Sequence, residues 1–228
     1  MKKYSTLLLC LGWLISCESP DRTTPDGAGY GYFPLETGRY VEYEVHEIRY
    51  AVASAPVETR YFVKEVCGQT FVSSTGQEQY RLERYRKNQL PQSWAIDSVW
   101  TVYRLPDRAV RVENNVPFVK LLFPVADRAT WNGNLLNSLP AEDYQAQLQT
   151  EAVSYHELTF PRSLTVVQRY DSTLLTLDKR LEQYAPEVGL IYQESTSLVY
   201  CQDVNCIGEG IIESGVSRQM WVLRYGKE

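Results

Sequence analysis

Apolar and polar residues alternate along most of this chain from residue 32 onward. Within segment 39–50, one side of the strand has Val41, Tyr43 and Val45 and the other has Glu42, Glu44 and His46, a period of two that is typical of a half-buried strand. Several such segments reach ten residues or so, longer than the ~5–6 of an average strand. The pattern predicts strands over 39–50, 61–66, 79–86, 98–104, 109–113, 118–123, 147–158, 164–171, 174–184, 190–200 and 217–225.

Turn-forming residues separate these segments. Pro106-Asp107 and Asn114-Asn115 fall between predicted strands, and the Asn132-Gly133 step is typical of a tight turn with a positive φ at the glycine. The one helical signal is segment 139–144, where a proline near the start is followed by acidic residues. We expect at most one short helix there.

Long strands joined by short turns predict an all-β fold. We expect a long antiparallel meander that forms a strongly curved sheet or a partly closed barrel, because no segment shows the strand-helix alternation of a parallel sheet. Residues 31–228 are interpreted as a single domain. Large residues of its concave face are the candidates to contact a ligand, namely Tyr43, Trp100, Phe118 and Trp221.

Composition narrows the choice of partners. The chain has a net charge of −5, and loss of Lys2 and Lys3 with a signal peptide would make the remainder more acidic. Nucleic acid is therefore excluded as an expected partner, because its binding requires a basic patch. The 17 tyrosines are explained by packing on a half-buried sheet or by an aromatic binding face; we favour packing.

The first 17 residues have the order of a secretory signal. Lys2 and Lys3 precede an apolar run that ends in Leu14-Ile15-Ser16-Cys17. The run is too short to span a bilayer, which takes ~20 residues. Its end resembles the lipobox of bacterial lipoproteins, in which the cysteine is acylated and becomes the first residue of the mature chain. The resemblance implies a cleaved signal peptide, 1–16, and a lipid on Cys17; the alternative is an ordinary signal peptide with an incidental cysteine.

Two further segments carry a family resemblance. Tyr32-Phe33-Pro34-Leu35-Glu36-Thr37-Gly38 and the Val188-Gly189-Leu190 turn resemble elements of uncharacterised cell-envelope lipoproteins from Bacteroidota-type bacteria. The resemblance implies anchorage through the N-terminal lipid to a bacterial membrane, with the outer membrane favoured, and an extracytoplasmic β domain. It transfers no catalytic residue. Residues 17–30, polar and without periodicity, are interpreted as the lipidated cysteine and a flexible tether.

The remaining cysteines predict one disulfide. Cys201 and Cys206 are separated by the polar, turn-like Gln-Asp-Val-Asn, and pairing them would fix a loop. Cys67 follows a predicted strand and is expected to be a buried thiol. One pair of cysteines does not supply the four ligands of a structural zinc site, so no metal site is expected.

The sequence shows no catalytic constellation. It contains two histidines, His46 and His156, and neither a His-Glu-x-x-His segment nor a Gly-x-Ser-x-Gly elbow. We therefore expect no enzyme and no cofactor. The leading hypothesis is a non-enzymatic envelope protein that binds or carries a hydrophobic or glycan ligand. The alternatives are a structural or assembly lipoprotein that docks on another envelope protein and, third, a glycan-acting enzyme with paired carboxylates.

Overall fold

The computed structural model describes residues 27–228. The predicted signal peptide, Cys17 and the tether as far as residue 26 lie outside the described residues. Within the described part no helix is both long and apolar enough to cross a membrane. It contains one 3₁₀ helix, Tyr30–Tyr32, and the strands β1 (Arg39–Tyr50), β2 (Val57–Val72), β3 (Glu78–Lys87), β4 (Ala95–Arg104), β5 (Arg108–Glu113), β6 (Val116–Leu122), β7 (Thr130–Asn132), β8 (Asp143–Gln149), β9 (Val153–Tyr155), β10 (Leu158–Phe160), β11 (Ser163–Ser172), β12 (Thr176–Ala185), β13 (Gly189–Tyr200) and β14 (Ile212–Lys227).

Twelve of these strands form one antiparallel sheet that is nearly closed as a barrel, which confirms the predicted all-β class. The order is β6-β5-β4-β3-β2-β1-β14-β13-β12-β11-β8-β7. The first and last long strands, β1 and β14, therefore pair with each other, with Val45 opposite Met220 and Tyr43 opposite Val222. This pairing joins the two halves of the chain into one sheet.

The seam of the barrel lies between β6 and β7. Three hydrogen bonds cross it: the amide of Val119 donates to the carbonyl of Gly133 at 2.9 Å, the indole N–H of Trp131 donates to the carbonyl of Val119 at 2.8 Å, and Asn137 Nδ2 donates to the carbonyl of Pro117 at 2.8 Å. One apolar cluster, which includes Tyr144, Leu164 and Val166, packs in the interior on both sides of this seam. The sheet is thus closed by packing more than by a ladder of hydrogen bonds.

Strand alternation decides which side chains point inward. On β1 and β14, Val45 and Met220 are buried in the core, while their neighbours Glu44 and Trp221 pair on the other face. The small β9–β10 hairpin packs against that outer face: Tyr155 stacks on Tyr192 of β13 with ring centroids 5.4 Å apart. The interior surface and the hairpin-covered surface are therefore separate candidate binding faces.

The helical signal at 139–144 gives no helix, which the expectation of at most one short helix allows, and one strand prediction is wrong. Segment 139–144 is not helical but a loop leading into β8, because asparagine side chains bond its backbone: Asn132 Oδ1 accepts from the amide of Glu142 at 3.0 Å, and Asn134 Nδ2 donates to the carbonyl of Pro140 at 2.7 Å. The predicted strand 147–158 is broken into the end of β8 and the β9–β10 hairpin, with a turn at His156, whose φ is +51°.

The predicted disulfide between Cys201 and Cys206 is confirmed, with 5.9 Å between the two Cα atoms. It ties the loop between β13 and β14, whose ends are also joined by a 2.8 Å bond from the amide of Cys201 to the carbonyl of Ile211. The third described cysteine, Cys67, is buried and free, as predicted.

Candidate functional site

The barrel interior contains a layer of charged side chains between two cavities. We call it the ionic layer. Three of its members are carboxylates and three are cations, so its formal charges cancel. Its members are Glu65, Arg84, Arg111, Glu113, Lys120 and Glu182.

Short ion pairs connect the layer. Arg111 Nη2 lies 2.7 Å from Glu65 Oε2, and Arg84 Nη1 lies 3.4 Å from Glu65 Oε1. Lys120 Nζ lies 2.9 Å from Glu182 Oε1 and 3.1 Å from Glu113 Oε1. Glu182 is fully buried and the Glu65 side chain is 6% exposed, and buried carboxylates are ordinarily paired in this way because an unpaired charge in the interior is costly.

The electrostatic balance keeps the layer charged. Burial alone would lower the pKa of Lys120, but the carboxylates of Glu182 and Glu113 outweigh it and raise that pKa above its usual value. Burial alone would raise the pKa of Glu113, but Lys120 and then Arg111 outweigh it and lower that pKa. Burial and the neighbouring Glu182 raise the pKa of Tyr184 well above 10, so its hydroxyl remains a donor to Glu182 Oε2 at 2.6 Å.

Sequence reasoning missed this layer. The sequence alone does not show which acids and bases in the strands face each other. A weak signal is present: Arg111 lies between Val110 and Val112, and Lys120 lies between Val119 and Leu121. The partners come from β2, β3, β5, β6 and β12, and only the strand order brings them together.

An apolar cavity of about 310 Å³ lies on one side of the ionic layer. We call it the apolar chamber. Glu65 and Arg111 form its inner end, and it opens at the end of the barrel where β1 begins and β14 ends. Its apolar wall consists of Phe33, Pro34, Leu35, Val41, Cys67, Leu82, Val102, Val188 and Leu190.

A strap formed by residues 29–37 runs across this end of the barrel. Phe33, Pro34 and Leu35 of the strap line the apolar chamber. Arg104 Nη1 holds the strap by donating to the carbonyls of Tyr30 and Phe33 at 3.2 and 3.3 Å. The Pro-Leu-x-x-Gly segment, which carries the family resemblance, therefore forms one wall of a cavity.

Charged residues surround the mouth of the apolar chamber. Arg39 Nε lies 3.0 Å from Glu36 Oε2, and Lys227 pairs with the other oxygen of Glu36. Arg39 Nη1 also donates to the carbonyl of Glu187 at 2.6 Å. Inside the mouth, burial raises the pKa of the Cys67 thiol to about 11, so this cysteine is a neutral part of the apolar wall at physiological pH.

A second cavity of about 290 Å³ lies on the other side of the ionic layer. We call it the polar chamber. Its inner wall includes Arg84, Arg111 and Trp100, and the guanidinium carbons of the two arginines lie 4.2 and 5.2 Å from the indole centroid. The other lining residues are Val45, Tyr61, Val63, Asp97, Glu113, Asn114, Gln193, Arg218 and Met220.

The four predicted ligand-facing residues are not brought together. Trp100 lines the polar chamber. Tyr43 is buried in the core, where its hydroxyl donates to the carbonyl of Leu190 at 3.0 Å, and Phe118 pairs with Arg111 across β5 and β6; neither borders either chamber. Trp221 lies on the outer face beside Tyr192, with 6.0 Å between centroids, because strand alternation places Met220 and Val222 inward instead.

Each histidine lies beside a glutamate on the sheet and hairpin surface. His46 Nε2 lies 2.6 Å from Glu58 Oε1, and His156 Nε2 lies 3.4 Å from Glu44 Oε2. Across residues 27–228 there is no group of three or more histidine, cysteine or acidic side chains placed to hold a metal ion.

The chain matches no protein-family model, no curated protein and no solved structure.

Proposed function

We propose that this protein is a non-enzymatic envelope protein that binds or carries a small apolar molecule in the apolar chamber. The observation that carries the proposal is the chamber itself, which lies in the barrel interior and has a predominantly apolar wall. Small-molecule sites are typically concave, mostly apolar and supplied with a few placed polar groups. The Glu65–Arg111 pair at its inner end is such a group.

The chemistry of the wall selects the ligand. Charged side chains lie at the inner end and at the mouth, and apolar residues such as Leu82, Val102 and Leu190 lie between them. A molecule with an apolar body fits this middle region, where it replaces water against hydrocarbon. At the inner end both charges are already paired with each other, so the site favours a small neutral head group over a charged one.

The position of the mouth supports exchange with a membrane. We propose that the lipid on Cys17 anchors the protein to the outer membrane of a bacterium on an extracytoplasmic face. Ten residue steps separate Cys17 from Gly27, a reach of at most about 35 Å. The strap that follows Gly27 crosses the chamber's own end of the barrel. The anchored membrane surface and the mouth are thus held within reach of each other.

Native mass spectrometry of the full chain, extracted from membranes in detergent, tests ligand binding. We expect a non-covalent apolar adduct at one copy per chain. Val102→Phe should weaken or remove the adduct, because the larger ring occupies part of the space that the ligand would take. Val99→Phe is the matched control, since Val99 lies on the same strand with its side chain exposed. A bare wild-type mass, or the same adduct on both variants, would contradict the proposal.

The anchor is tested separately with Cys17→Ser. We expect the wild type in the membrane fraction and the variant in the soluble fraction. A serine cannot carry the thioether-linked lipid, and the proposal makes that lipid the source of the membrane affinity. Cys67→Ser is the control and should stay membrane-bound. Membrane association that persists in Cys17→Ser would refute lipid anchoring at this residue.

A second candidate function is docking on another envelope protein. It is favoured by exposed apolar side chains at the end of the barrel opposite the strap, on the β11–β12 turn and the disulfide-tied loop. These are Leu174, Leu175, Val204, Ile207 and Ile211. Exposed apolar groups of this kind are a feature of protein contacts. Crosslinking in intact cells is the measurement that would identify such a partner.

A further inference from the structure

Aliphatic side chains are exposed on nearly every loop at the end of the barrel opposite the strap. Because the sheet is antiparallel, the connections β1–β2, β3–β4, β5–β6, β7–β8, β11–β12 and β13–β14 all lie at this end. Five of the six have an aliphatic residue that is between 56% and 84% exposed, namely Val52, Leu90, Leu135, Leu174 and Val204. Five further aliphatic residues of the same loops are at least 37% exposed. We call the exposed aliphatic residues of these five loops the apolar rim.

The loops of the apolar rim are poor in charge. No charged residue occurs in 51–56, 88–94, 133–141 or 173–175, and 201–211 contains Asp203 and Glu209. The connections at the strap end, by contrast, include Asp107, Arg128 and Glu187. Since the chain has a net charge of −5, two copies repel each other least where their surfaces carry the fewest charges.

The area of the apolar rim is that of a protein interface. Its ten aliphatic side chains have about half of their surface exposed, which amounts to on the order of 800 Å², the contribution of each partner to a standard interface. The largest apolar patch of a monomeric protein is usually about 300–600 Å². The apolar rim is therefore large enough to hold two chains together.

A polar opening lies at the centre of the apolar rim. Asp97 and Arg218, which have no ion pair among residues 27–228, are exposed there and line the outer part of the polar chamber together with Asn114. The partner surface therefore has to offer polar groups of both signs at its centre and apolar groups around them.

A lipid bilayer does not match this arrangement. Its hydrocarbon would cover the polar opening and would approach Asp203 and Glu209, which share a loop with Val204, and carboxylates are costly to place in hydrocarbon. A second copy of the chain does match. Its apolar rim meets the apolar rim, and its polar opening faces the polar opening, where Arg218 of one copy and Asp97 of the other can pair.

We propose that two copies of this chain associate end to end through their apolar rims, in an isologous contact with a twofold axis between the barrels. The straps then lie at the two outer ends of the pair. A tether reach of about 35 Å exceeds the roughly 12 Å radius of a twelve-strand barrel, so both proposed lipids can enter one membrane when the barrels lie along it. The pair is independent of any ligand in the apolar chamber, and it covers the surface that the second candidate function would use.

Photo-crosslinking of the full chain in its own membranes tests the partner. With p-benzoylphenylalanine in place of Leu174, we expect a product of twice the chain mass whose crosslinked peptides both belong to the apolar rim. The same photo-residue in place of Phe71, which is 40% exposed at the strap end, should give at least tenfold less of this product. A Leu174 product with a different protein or with lipid overturns the proposal, and so does the absence of any product.

Native mass spectrometry of the full chain in detergent tests the surface. We expect a dimer for the wild type and at least a tenfold smaller dimer fraction for Leu90→Glu combined with Leu174→Glu, since these residues lie on opposite sides of the ring of loops and the new charges repel. Both residues are exposed, so thermal unfolding of each chain should change little. Phe71→Glu combined with Val72→Glu, at the strap end, is the control and should keep the dimer. A dimer that persists unchanged in Leu90→Glu/Leu174→Glu refutes this interface.

Discussion

Replacing Lys120 by methionine is expected to lower the free energy of unfolding by about 3–5 kcal/mol, the usual effect of removing one partner from a buried ion pair. The ammonium of Lys120 compensates two carboxylates, Glu182 at 2.9 Å and Glu113 at 3.1 Å. Methionine fills similar space but leaves Glu182 without its cation and Glu113 with only the more distant Arg111, whose Nε lies 4.0 Å from Glu113 Oε1. Urea denaturation followed by circular dichroism measures the change, which corresponds to a fall in Tm of roughly 10 °C for a chain of this size.

Lys179→Met is the matched control. Lys179 Nζ also lies 2.8 Å from a glutamate oxygen, that of Glu194, but its side chain is 30% exposed, so we expect a loss below about 1 kcal/mol. Adding Glu182→Gln to Lys120→Met should recover part of the stability, because one uncompensated charge is removed. A Lys120→Met variant as stable as the Lys179→Met variant would show that the ionic layer does not hold the interior together.

The architecture could be predicted from the sequence because it depends on local signals. Period-two alternation identified the long strands, and Asn114-Asn115 was recognised as a turn; both residues have positive φ, +50° and +66°. The pairing of β1 with β14 was not predicted. Such pairing depends on register between segments more than 160 residues apart in sequence, for which the alternation of either strand alone contains no information.

The candidate site was only partly predictable, since a single sequence does not say which face of a curved sheet is inside. Trp100 was identified as a ligand-facing candidate and lines a chamber. Trp221 was assigned to the same face and lies outside, because strand alternation turns it outward between Met220 and Val222. The ionic layer escaped prediction because charged residues in strands are ordinarily solvated. They can be buried here because their charges neutralise each other. That neutralisation requires residues of five strands to meet in the folded barrel.

Position 133 requires a glycine, but for a different reason from the one that the sequence suggests. The Asn132-Gly133 step was expected to require a positive φ at the glycine, but Gly133 does not have one. A Cβ at this position would instead overlap the ring of Tyr144, which is buried and packs edge-on against Trp131 at 6.0 Å. The glycine is needed for close approach of the backbone to an aromatic ring, at the point where Gly133 accepts the seam hydrogen bond from Val119.

Gly133→Ala is therefore expected to destabilise the protein by about 3 kcal/mol, the upper part of the range for overpacking a core. Because the methyl group displaces Tyr144 or the Gly133 backbone, the amide of Val119 should also exchange with deuterium faster than in the wild type. Gly68→Ala is the control: Gly68 likewise lacks a positive φ, and an added Cβ there meets atoms no closer than 3.4 Å, so the loss should stay within about 0.5 kcal/mol. If Gly133→Ala loses stability but the amide of Val119 does not exchange faster, the ring of Tyr144 moves and the seam stays closed. If Gly133→Ala and Gly68→Ala are equally stable, the packing argument is refuted.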